Sequence, residues 1–272
     1  MLKVGLTGGL ASGKTFVGEA LASSGCLLIQ ADDLGHEALA PGGEAYDAVV
    51  REFGREILTS DGLIDRKQLG MLVFGSPERL ARLNALVHPP VVRREEELIA
   101  EFAAREPRGI AVVEAAILIE TGSYKRFDRI ILVWCAEEQQ VERALRRDGA
   151  VEADVRARIS RQMPLDEKRK FADFVIDTSG QKEDTLRQAR AVYEALRRIE
   201  TRKFRDHFSG PSCWLPDFCT SLRWRIGTWG ASCSRFVPSG ACGASPPPPK
   251  RPDFRPTSRT TLGFIRMPAT PP

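Results

Sequence analysis

"GLTGGLASGKT", residues 5–15, decides the fold. Four glycines fall within its first nine positions, and it closes on Gly13-Lys14-Thr15. A glycine in the interior of a helix or strand costs roughly 0.5–1 kcal/mol against alanine, so such a density needs a reason. Gly8, four intervening residues and Gly-Lys-Thr fill the pattern G-x-x-x-x-G-K-[ST], in which backbone N–H groups converge on phosphate oxygens. The flanks agree with it. "KVGL" (3–6) reads as a short strand entering the loop, and "KTFVGEALASSG" (14–25) as a helix leaving it with its positive end at the same point. Lys14 supplies a point charge for the β- and γ-phosphates, and the Thr15 hydroxyl is a hard oxygen suited to Mg²⁺. Gly8, Gly9, Ala11, Ser12, Gly13, Lys14, Thr15 and Phe16 are therefore the expected contacts of ATP. A chance glycine-rich turn would lack both flanks. The loop specifies a nucleoside triphosphate and leaves the reaction open.

Further along, "CLLIQ" (26–30), "IAVVEAAILI" (110–119), "DRIILVWC" (128–135) and "ADFVID" (172–177) are apolar runs rich in Val and Ile. They are nearly continuous rather than alternating, which predicts a parallel sheet covered on both faces. Helical patterns fill the gaps: 42–54, 66–75, 76–87, 90–105, 137–149, 151–162 and 181–203. The fold class is α/β, a five-stranded parallel sheet flanked by helices, with extra helices between strands two and three. From about residue 204 the periodicity stops. That stretch holds 12 of the 18 prolines and 3 of the 4 tryptophans, and it reads as a disordered extension. The expected domains are thus 1–203 and a low-order tail, 204–272.

The net charge of +4 belongs to that tail. Residues 1–203 carry 31 Lys and Arg against 33 Asp and Glu, and residues 204–272 carry 9 against 3. The body offers no basic surplus for nucleic acid. No apolar run approaches the roughly 18 residues that span a bilayer, and no basic region precedes an apolar stretch near Met1, so neither membrane nor export is expected and the cytoplasm is the default location. Cys26 and Cys135 sit in apolar strand contexts and read as buried free thiols. Cys213, Cys219, Cys233 and Cys242 form no C-x-x-C pair, which argues against zinc.

"CLLIQADDLGHEAL" places Asp32 and Asp33 just past strand two, at the edge of an open α/β sheet that lines the ligand crevice. A carboxylate there orients or deprotonates an acceptor hydroxyl, or holds a water on Mg²⁺. Asp32 is the candidate for chemistry; Asp33 reads as the cap of the next helix. No N-K-x-D motif of a GTPase is present.

Seven segments stand in order along the chain: "VGLTGGLASGKT", "ADDLGHEAL" with "PGG", "ILTSDGLIDRKQLGMLVF", "LNALVHPPV", "AAILIETG", "QQVERALRRD" and "KFADFVIDTSG". Together they resemble the dephospho-CoA kinase family, whose members transfer the ATP γ-phosphoryl group to the ribose 3′-hydroxyl of dephospho-CoA, and the resemblance covers about residues 2 to 200. It implies a P-loop, nucleoside-monophosphate-kinase-like core. It also implies a helical dephospho-CoA-binding insert at about 60–106, a lid at about 138–165, and a monomer or small homo-oligomer. Asp32 corresponds to the family's proposed base. Arg143 falls at the lid arginine that closes over the triphosphate, and Arg147 lies one turn on. Thr15 and Asp32 are the expected Mg²⁺ ligands, Asp32 directly or through water. Arg66, His88 and Glu120 fall at substrate-site positions; by itself a histidine opening a helix is more often structural, and the resemblance raises a substrate role for His88 to an even alternative. Arg93 and Arg94 most simply make a solvated helix face.

Three positions depart from the family. Ala11 stands where another glycine is usual, which requires a negative φ to accommodate the methyl group. Gln30 replaces an acid two residues before the base, and Glu114-Ala115-Ala116 replaces Asp-x-Pro. Two other readings stay open: another small-molecule P-loop kinase, or an ATP-binding module without catalysis. The long helical insert with His-Pro separates the family from the first, and Asp32 with Arg143 argues against the second.

Overall fold

Alternate residues of the central strands feed two separate apolar layers, which is why those strands read as unbroken hydrophobic runs. The computed structural model describes the backbone of residues 1–148 and 151–208 and their side chains, those of Phe74, Asp148 and 204–208 excepted. The chain runs β1 (Leu2–Gly8), α1 (Lys14–Ser23), β2 (Leu27–Gln30), α2 (Ala31–Ala38), α3 (Tyr46–Phe53), α4 (Arg66–Phe74), α5 (Pro77–Arg105) and β3 (Ile110–Glu114). It continues through β4 (Arg129–Trp134), α6 (Glu137–Asp148), α7 (Glu152–Ile159), α8 (Leu165–Lys168), β5 (Phe174–Asp177) and α9 (Lys182–Phe208). The strands form one parallel sheet in the order β2-β3-β1-β4-β5. The fold is therefore α/β with the five strands expected.

Leu2, Val4 and Leu6 of β1, Ile110 and Val112 of β3, and Ile131 and Val133 of β4 pack with Val17 and Leu21 of α1 and Ala189, Val192 and Leu196 of α9. The intervening Ala111, Val113 and Ile130 face the other layer, with Leu34, Val49, Leu69, Leu83 and Val87 from α2, α3, α4 and α5. β1 lies at the centre of this sandwich, so the loop at its carboxyl end is anchored from both sides. Cys26 and Cys135 are buried free thiols, and burial pushes the Cys26 thiol up to about 12. Among the described residues no helix is long and apolar enough to cross a membrane.

Local expectations fail in three places. Strand three stops at Glu114, opposite Leu6 of β1 and Gln30, the last residue of β2; residues 116–121 form turns, with Thr121 N–H donating to the Ile117 carbonyl. Two expected helices, 76–87 and 90–105, are one 29-residue helix, α5, with Pro89 and Pro90 inside it. His88 therefore sits mid-helix and opens nothing. A proline inside a helix costs about 3 kcal/mol, but Leu80, Leu83, Val87, Val91 and Ile99 continue one buried stripe across the pair. Such burial is worth about 1.5–3 kcal/mol for each side chain, so packing wins. Asp33 is no cap: α2 begins at Ala31 behind Gln30, and Asp33 lies inside its first turn, 3.9 Å from His36 Nδ1. Arg93 and Arg94 do make a surface face, Arg93 pairing with Glu44 and Arg94 with Glu97. α9 runs on to Phe208, past the expected boundary at 203, and the expectations for 209–272, including its four cysteines, lie outside the described residues.

Candidate active site

Close approach explains Gly8, and backbone conformation explains Gly13. A Cβ on Gly8 would lie 2.5 Å from Ser12 Oγ and 2.7 Å from the Val133 carbonyl oxygen. Gly13, the residue before α1, has φ +89°, which only glycine adopts cheaply. Ser12 is fully buried, and its Oγ has no hydrogen-bond partner among the described residues. A buried hydroxyl with its hydrogen bond unmade suits a phosphate oxygen, so the loop fits the triphosphate that its pattern implies.

Ala11 overturns the expectation of a negative φ. Its φ is +52°, in the left-handed region, where an L-residue costs roughly 1–2 kcal/mol. Alanine is the smallest side chain that carries this cost, and its methyl packs beside Val141, Ala144 and Val155. Replacement by glycine relieves the strain but gives up that packing and adds chain entropy, so the two effects nearly cancel. A β-branched residue has no such compensation. Ala11→Val is expected to cost about 2 kcal/mol and to lower Tm by about 4–8 °C in thermal unfolding; an unchanged Tm would show that φ relaxes freely.

Lys14 Nζ donates to the Gly9 carbonyl at 2.8 Å. Burial pushes its ammonium below the ordinary value. Glu114 and then Asp32 pull it back up, and Lys168 and Arg147 push it further down. These groups therefore share one electrostatic site at the carboxyl ends of β1 and β3. Sheet register builds the acidic half. Glu114 stands opposite both Leu6 and Gln30, and it accepts from Thr15 Oγ1 (3.1 Å) and from Gln30 Nε2 (3.4 Å). Gln30 is thus tied to the acid that closes β3. The Thr15 hydroxyl and the Glu114 carboxylate are adjacent hard oxygens, a donor set that fits Mg²⁺ sharing its remaining positions with water and phosphate. Asp32 lies half-buried in the first turn of α2, directly after β2.

The remaining expected residues fall in two groups. Arg143, on α6, donates through both terminal nitrogens to Thr178, at 3.0 Å to its Oγ1, and Thr178 Oγ1 also bonds the Ser12 carbonyl at 2.8 Å. Arg143 and the loop therefore share one hydroxyl. Arg147, a turn further, is exposed yet its charge reaches Lys14. Phe16 receives Lys182 over its ring at 5.9 Å. On the other side, Arg66 opens α4 behind the Asp65 cap, and Asp33 steadies its guanidinium against the effect of burial. His88 lies on α5, which packs on α2, and burial lowers its imidazole below the ordinary value. Glu120 is held inward: its Oε1 accepts from Lys168 Nζ (2.8 Å) and from Met163 N–H (3.1 Å).

Sequence reasoning passed over Glu114, Lys168, Thr178, Gln140 and Gln162. An acid closing a buried strand was a usable signal for Glu114. Lys168 carried none: it is fully buried and donates to the Ala116 carbonyl at 2.7 Å, a contact 52 residues away in sequence.

A family model described as dephospho-CoA kinase matches residues 2–184. A dephospho-CoA kinase of Thermobifida fusca is 42% identical over 203 residues, covering 74% of this chain and 100% of the relative. One of Geobacter metallireducens is 42% identical over 194 residues, 71% of this chain and 96% of the relative. Among solved structures, a Thermus thermophilus protein superposes with TM-score 0.63 at 34% identity, over 71% of this chain and 96% of that one. The Campylobacter jejuni dephospho-CoA kinase does so at 0.53 and 25%, over 72% and 98%.

Proposed function

The chain belongs to the dephospho-CoA kinase family and is an ATP-using kinase of the last step of coenzyme A synthesis; from that premise we propose how its own residues carry the transfer. Dephospho-CoA lies between α2 and the helices α4 and α5, with Arg66 and His88 near it, and its ribose 3′-hydroxyl faces Asp32. The 3′-oxygen forms a bond to the γ-phosphorus as the bond from that phosphorus to the β–γ bridging oxygen breaks. The hydroxyl proton goes to the Asp32 carboxylate, and ADP leaves. Lys14 and the N-terminal end of α1 meet charge on the transferring phosphoryl oxygens. Arg143 and Arg147 add positive charge from the lid, residues 138–165, whose closing excludes water. Thr15 and Glu114 would hold Mg²⁺, which would supply positive charge against the triphosphate. The observation that carries this reading is the grouping of Lys14 with Glu114 and Asp32 past the carboxyl ends of β1, β3 and β2.

An acceptor panel tests it. With ATP and Mg²⁺ present, ADP release is expected only when dephospho-CoA is added. Release with shikimate, gluconate or a nucleoside monophosphate, but not with dephospho-CoA, would reject it, as would tight ATP binding without any turnover.

A further inference from the structure

Leu10, at the tip of the phosphate loop, has both of its backbone groups engaged by side chains from residues 138–165. Its N–H donates to Gln162 Oε1 at 2.9 Å, and its carbonyl accepts from Gln140 Nε2 at 2.8 Å. Gln140 is on α6, and Gln162 lies between α7 and α8. Two limbs of one segment thus bracket a single residue. The contact is built in from both sides. Gln140 is 3% exposed, so its amide gives up water for this bond. Gly9 makes room for it, because a Cβ there would lie 2.1 Å from Gln140 Nε2. Leu10 and Ala11 also pack on Val141, Ala144 and Val155 of α6 and α7. The residue after the bracket is Ala11, with its left-handed φ of +52°. Strained backbone of this kind persists only where its surroundings over-determine it. The return limb has its own fixed reference, since Glu120 ties Met163 N–H and Lys168 to the chain just after β3.

We propose that Gln140 and Gln162 are positioning residues through which the lid sets the conformation of the phosphate loop, holding Leu10 and Ala11 in the shape that ATP binds. This rests on the reading of 138–165 as the lid. The bracket couples the two: when α6 and the α7–α8 connection move together, Leu10 moves with them, and when they part the loop loses both anchors. The two amides have opposite duties. Gln162 must accept and Gln140 must donate, so the same replacement separates them.

The test uses the full chain and two readouts: hydrogen–deuterium exchange of the loop peptide without ligand, and KM for ATP. Gln162→Glu keeps an acceptor for Leu10 N–H, and its loop exchanges at the wild-type rate. Gln162→Met removes the acceptor, and Gln140→Glu faces a carboxylate to the Leu10 carbonyl. In both, exchange rises about three- to tenfold, and KM for ATP rises by a similar factor with kcat little changed. Thermal unfolding run alongside separates this from general destabilisation, which would raise exchange throughout the sheet. Equal behaviour of Gln162→Glu and Gln140→Glu, or wild-type exchange in Gln162→Met, overturns the proposal. Arg143→Met distinguishes the two layers. If it loses turnover while the glutamine variants are silent, the lid reading stands and the bracket falls. If it too is silent, the lid reading falls and takes the bracket with it.

Discussion

Lys14→Met is expected to cut kcat/KM about 10²- to 10³-fold, the loss typical of removing one preorganised group aimed at developing charge. Methionine keeps the length and apolar stem of the lysine and removes only the ammonium. The ammonium is an unfavourable occupant of the ligand-free site, since burial pushes its pKa down against the pull of Glu114 and Asp32. Its neutral replacement gives up one bond to the Gly9 carbonyl and relieves that desolvation. Tm is therefore expected to hold or rise while turnover collapses. Steady-state kinetics with thermal unfolding on the same preparation check both halves. A fall in Tm that matched the fall in activity would make Lys14 a structural residue.

Asp32→Asn is expected to lower kcat about 10²- to 10⁴-fold, the range for a positioned general base. Asparagine has the same shape and stays in the first turn of α2, so the fold is untouched. The sign of the ATP effect is informative. Asp32 is close enough to support the Lys14 charge, so it also opposes the incoming triphosphate. Removing its charge should leave ATP affinity unchanged or slightly improved, measured by equilibrium binding. Weaker ATP binding with intact kcat would assign Asp32 to the metal rather than to the hydroxyl.

The parts of this site visible in the sequence are those built from neighbours along the chain. Gly8, Gly13 and the helix that follows encode a phosphate-binding loop that local sequence alone announces. Asp32 was visible because it trails a strand by two residues, and strand ends face the crevice in this architecture. What stayed hidden depends on register and packing between distant segments. Gln30 and Glu114 are partners across parallel strands 84 residues apart, so neither reveals the other until the strands align. Lys168 looks like one of many surface lysines in "LDEKRK", and only the fold shows it to be fully buried against Glu120. Pro89 and Pro90 read as a helix break because the local rule says so. The continuous buried stripe of α5 overrides it. Ala11 shows the reverse case, a strained residue that local rules would forbid and that its neighbours hold in place.

The central claim is that the triphosphate held at 8–15 is sent to one hydroxyl. Phosphorus NMR of the reaction of ATP with dephospho-CoA tests it most directly, because it reads the donor and the position of the new bond together. One new 3′-phosphomonoester signal for each ADP formed, abolished in Asp32→Asn, is the predicted result. ADP and free inorganic phosphate in equal amounts, with the dephospho-CoA ribose unmodified, would contradict it.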